Sequence, residues 1–85
     1  MANLIAIKAT FVERFVNAGS SWVIDTQESR EMCAAEIASD GGYHGPVLTD
    51  ARTRNGWAVM IPGTITAIEF FRDEKDATAY ARSFN

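Results

Sequence analysis

Two different hydrophobic periods stand at opposite ends of this chain, and together they restrict it to one class of fold. Near the start, Ile5, Ile7, Ala9 and Phe11 alternate with Ala6, Lys8 and Thr10, the two-residue period of a half-buried strand. Near the end, Ala77, Tyr80, Ala81 and Phe84 recur at i, i+3, i+4 and i+7, the stripe of one helix face. Neither stripe is stable alone in water, so each has to bury its apolar side against another element. A sheet with helices laid on it satisfies both.

The first segment also admits a helical reading, because Ile5, Ala9, Val12 and Val16 recur at near-helical spacing. That helix would lack a good cap and would set Lys8 beside Leu4 and Phe11. A strand over residues 4–12, extending to Val16, is the better reading. Asn17-Ala18-Gly19-Ser20-Ser21 is a turn cluster, since Asn and Gly tolerate positive φ and Ser competes locally for backbone bonds. Trp22-Val23-Ile24 then predicts a return strand, so residues 4–25 form a hairpin. Asp25 and Thr26 are N-cap types before a helical run with Cys33, Ala34, Ile37 and Ala38 as its apolar stripe and Met32 at the edge. Asp40-Gly41-Gly42 closes that helix, glycine accepting the left-handed conformation.

The second half contributes more punctuation. Tyr43-His44-Gly45-Pro46 is a loop by composition, and Val47 to Arg52 can form a strand. Asn55-Gly56 is a strong hairpin signal. Trp57 to Ile61 is apolar enough for a central strand, and Pro62-Gly63 suits the middle of a type II turn. Thr66, Ile68 and Phe70 alternate on one face of a following strand, and Asp73 caps the last helix, with Glu74 and Asp76 in its first turn. The expected order is β-β-α-β-β-β-α. This is an α+β fold, a small antiparallel sheet with two helices packed on one face, in a single compact domain over residues 1–85.

Size and charge narrow the function. A chain of 85 residues buries roughly 63% of its unfolded surface, enough for one thin core and too little for a roomy pocket. Formal net charge is −3; residues 1–42 carry three basic and six acidic side chains, and residues 43–85 carry five of each. No basic stripe exists to displace counterions from phosphates, which argues against direct nucleic-acid binding. The acid-rich first half suits a partner protein with a basic surface.

Reagents are scarce. One Cys and one His are present, and neither has the spacing of a metal site. Cys33 sits on an apolar helix face, where burial keeps a thiol inert. His44 titrates near neutrality but has no orienting partner in sequence. No glycine-rich phosphate loop opens a helix, and no cofactor motif occurs. The order α-β-β-β-α over residues 26–85 is similar, in order alone, to the double-stranded-RNA-binding domain; Asp73-Glu74-Lys75-Asp76 stands where that domain needs basic residues. A lone cysteine, the lack of a basic and apolar leader at Met1 to Ile5, and no apolar run of membrane-spanning length predict a cytoplasmic protein, in the producing or a host cell, with no membrane partner.

Binding by a surface is therefore expected ahead of chemistry. Tyr43, His44, Arg52 and Arg54 are the candidate partner-binding residues, because Tyr and Arg combine contact area with directional hydrogen bonds. The expected role is a non-catalytic protein-binding module. Its size and acidity match phage- and virus-type inhibitors of host or defence enzymes, such as a nucleic-acid-handling complex. One alternative is nucleic-acid binding through Arg52, Arg54, Trp57 and Tyr43; another is a small oligomeric enzyme using His44 as acid or base. The first strand, guarded only by Lys8, also offers an edge for homodimerisation.

Overall fold

The alternation at Ile5–Phe11 becomes the longest strand of the protein, seen in a computed structural model that describes residues 3–16, 19–39 and 52–84. Strand β1 (Ile5–Val16) is followed by β2 (Gly19–Ile24), helix α1 (Gln27–Ser39), β3 (Thr53–Met60), β4 (Ala67–Phe71) and helix α2 (Glu74–Ser83). All pairings are antiparallel, in the spatial order β2-β1-β3-β4. The α+β class and the hairpin β1–β2 agree with the sequence reading, although β2 begins at Gly19, inside the expected turn cluster.

Both helices lie on one face of the sheet. Cys33 and Ala34 of α1 pack on Val12 and Val23. Ala77 and Ala81 of α2 pack on Val59, with Leu4, Ala6, Trp57 and Phe71 around them. The caps are those expected: the Thr26 hydroxyl accepts from the Ser29 amide at 3.0 Å, and the Asp73 carboxylate accepts from the Asp76 amide at 2.9 Å. Asp25 instead takes a bidentate pair with Arg30, at 2.7 and 3.0 Å. The C-terminal stripe docks only in part, since Phe84 stays 55% exposed, stacked on Tyr80.

On the opposite face the described strands curl around the side chains that they bury. Laid flat, β2 and β4 would stand three strand spacings apart, about 14 Å. Instead the Ile24 amide donates to the Ile65 carbonyl at 2.9 Å, and Val23 bridges Thr66. Phe11, Ala58 and Met60 are thereby buried, with Ile7, Ala9, Trp22, Ile24, Ala67 and Phe70 closing over them.

Three expectations are corrected. Asn55-Gly56 makes no hairpin: the two residues lie within β3, opposite Thr10 and Ala9, and the Thr10 hydroxyl pairs with the Asn55 side-chain carbonyl. Pairing along β1 outweighs the local turn preference, and the chain runs from Arg52 straight into the strand. Ile68 does not share a face with Phe70, because a bulge in β4 sets Glu69 opposite Val59 but Ala67 opposite Met60. The extra residue reverses the alternation and leaves Ile68 exposed. Finally, β1 is no edge strand, being paired with β2 along Phe11–Val16 and with β3 along Ile5–Val12. Pro62-Gly63 does form its turn, with Gly63 at φ 85° and the Thr64 amide donating to the Ile61 carbonyl at 3.1 Å. The segments at 40–46 and 47–51, expected as a helix stop with a loop and as most of a strand, lie outside the described residues.

Candidate functional site

Arg52 and Arg54 leave the β1–β3 ladder on its inner face. The register opposes Arg54 to Phe11, and the Glu13 amide donates to the Arg52 carbonyl at 3.0 Å. Residues two apart on a strand point the same way, so both guanidinium groups come to the rim of the curl. Beneath them lies an aromatic floor. Phe70 meets Phe11 edge-on at 5.1 Å and Trp22 at 6.3 Å between ring centroids. The Arg54 guanidinium carbon sits 4.0 Å from the Phe70 centroid, and that of Arg52 sits 6.0 Å from the Trp22 ring.

Glu13, opposite Trp22 in the β1–β2 register, supplies the one carboxylate among the described residues. It is only 8% exposed, and its Oε1 has no hydrogen-bond partner. Arg52 Nη1 stands 3.4 Å away, close enough for charge attraction yet without hydrogen-bond geometry. A buried oxygen left unsatisfied costs about 1–3 kcal/mol, so the arrangement is held by the packing around it.

The other arginines near α1 are committed to structure. Arg14 grips Glu36 of α1 at 2.9 and 2.7 Å, a bidentate bond that raises its pKa. Arg30 does the same to Asp25; that hydrogen bond holds the Asp25 carboxyl below its ordinary value. Arg54, by contrast, has no carboxylate at ion-pair distance among the described residues. Exposed acids Glu28 and Glu31 on α1, and Glu74 and Asp76 on α2, belong to the helices and thus to the other side of the sheet.

Of the residues expected to bind a partner, Arg52 and Arg54 are brought together, whereas Tyr43 and His44 lie outside the described residues. Trp57 cannot join them: it packs with Val59 and Ala77 on the helix face, so the set Arg52, Arg54 and Trp57 shares no surface. Glu13 and Phe70 were not singled out by sequence. The Arg-x-Arg spacing in extended chain was the available signal for a one-sided pair.

Nothing else gathers reagents. Among the described residues no three His, Cys, Asp or Glu side chains cluster as metal ligands, and no helix is long and apolar enough to cross a membrane. Cys33 is buried, and that burial pushes its thiol pKa up. A groove of about 410 Å³ beside α1 is lined by Thr26, Glu28, Ser29, Met32 and Ile65, with one titratable group. Comparison with protein-family models, with curated proteins and with solved structures found no match.

Proposed function

We propose that this protein is a non-catalytic binding module that works by occupying a surface of another protein, with the arginine and aromatic rim of the sheet as its contact. The observation that carries this reading is Arg54 over Phe70, beside Arg52 over Trp22, on the sheet face that neither α1 nor α2 covers. Arginine and large aromatic side chains dominate binding energy where they meet a partner, because they join desolvated area to directional donors. An inhibitor of a host or defence enzyme is the form that suits so small a chain. A cytoplasmic setting belongs to the same proposal, supported by a single cysteine without a disulfide partner.

The test is affinity capture from native lysate with the wild-type chain and with Arg52→Ala/Arg54→Ala. A protein retained by the first and lost from the second, at unchanged thermal stability, supports the reading. Equal retention by both removes the rim from the function. Nucleic-acid binding draws support from the same two arginines. Gel shifts at low salt with single- and double-stranded probes decide it, and silence there eliminates it. A strand-edge homodimer keeps its support at the outer strands β2 and β4 and at the start of β1, where β2 no longer pairs and Ile5 is 40% exposed; sedimentation of Ile5→Lys against wild type reads the last of these directly.

A further inference from the structure

We infer that the rim receives a short acidic segment of the partner protein, two of its carboxylates taken by Arg52 and Arg54; this rests on the reading above and gives it a ligand chemistry. Arg54 holds its guanidinium carbon 4.0 Å from the Phe70 centroid in an exposed residue, and a guanidinium has five N–H donors with which to grip a carboxylate bidentately. Stacking also fixes the group in advance, so less freedom is lost on binding. Among the described residues no carboxylate stands at ion-pair distance from it.

Arg52 complements it. The side chain is 76% exposed, and its one carboxylate contact is the 3.4 Å approach to Glu13. Two residues of strand separate the arginines by about 6.6 Å along the backbone, comparable to the ~5–6 Å between side chains one helical turn apart. A segment with acids at i and i+2 when extended, or at i and i+4 when helical, matches that spacing. Glu13 adds an independent sign of a ligand, because its buried Oε1 is an acceptor still lacking a donor.

The charge layout favours a short acidic segment over a nucleic acid. Among the described residues the rim carries two positive groups against one negative, within a chain of net charge −3. A long polyanion meets the field of the whole chain as well as the rim, whereas a short segment meets mainly the rim.

Fluorescence anisotropy of a labelled (Glu-Ala)6 peptide tests this, with (Gln-Ala)6 as control, at about 20 mM and about 150 mM salt, between which the screening length falls from roughly 20 Å to about 8 Å. Trp57→Phe leaves Trp22 as the sole indole and gives a second readout at the rim. The Glu peptide is expected to bind and the Gln peptide not. Arg54→Glu should weaken binding by about tenfold or more, and Arg54→Lys by several-fold, since an ammonium cannot replace the fork. Glu28→Lys/Glu31→Lys should leave the rim signal in place. Failure of the Glu peptide to bind, or equal binding by Arg54→Glu, overturns the inference. Nucleic-acid binding lost in Arg54→Glu, with no peptide binding, overturns it in favour of that ligand. A dimer abolished by both Arg54→Glu and Glu28→Lys/Glu31→Lys makes the acidic segment this chain's own α1 and overturns an external partner. Rim-dependent capture of a protein, with no response to the peptide, leaves the proposed function standing while this inference falls.

Discussion

On the helix side of the sheet the buried residues are small or β-branched, Val12, Val23, Val59, Ala77 and Ala81 among them, whereas the inner side is filled by Phe11 and Met60 under half-buried Trp22 and Phe70. The two sides solve the same problem differently. Alanines let α2 come down close on β1 and β3, so that face is sealed by a second layer. The inner face is sealed by curvature, which needs large side chains able to meet across β2 and β4. Curvature leaves a rim, and a rim lined with aromatic rings is where arginines can lie flat. The face that neither α1 nor α2 covers is thus the one that offers a binding surface.

The contrast can be broken first at Phe11. Phe11→Ala removes the ring around which the inner face closes, and a loss of about 3–5 kcal/mol is expected in chemical denaturation. A loss below about 1 kcal/mol, smaller than any ordinary core truncation, would mean that the curl does not depend on this packing. The helix side should fail by the opposite route. Ala77→Leu has no space against Val59, so overpacking is expected to cost about 1–3 kcal/mol; a neutral result would show that α2 rides more loosely than its buried alanines imply.

A smaller effect sharpens the picture where α1 begins. Asp25→Asn removes the carboxylate of a half-buried bidentate pair, for about 1 kcal/mol at neutral pH. The sign follows from its lowered pKa. The contribution is complete above the ordinary carboxylate value and disappears as pH falls through the depressed native one. Wild-type and Asp25→Asn stabilities should therefore converge in acid, and a constant gap would refute the charge-based origin. Least perturbing is thiol labelling. Cys33, buried with its pKa raised, should react with an aromatic disulfide reagent only as fast as the protein opens. Rapid labelling of the native state would mean that α1 lifts from the sheet independently.

Much of this architecture is legible in the residues themselves. Caps at Thr26 and Asp73, the turn at Pro62-Gly63 and the alternation in β1 are local preferences, decided within about four neighbours. The candidate site was half legible: Arg52 and Arg54 share a face because strand geometry has a period of two, but nothing nearby in sequence announces Glu13, Trp22 or Phe70 beneath them.

What sequence alone determined, then, is the class of the fold, the caps at Thr26 and Asp73, the turn at Pro62-Gly63 and the layout of two helices on one sheet face. Tertiary structure decided the path of Asn55-Gly56 through a strand, the bulge that turns Ile68 outward, and the curl that joins β2 to β4. Those choices rest on pairings between distant residues, such as Thr10 with Asn55, 45 positions apart. A turn preference acts within four residues, and a whole ladder of hydrogen bonds to β1 outweighs it.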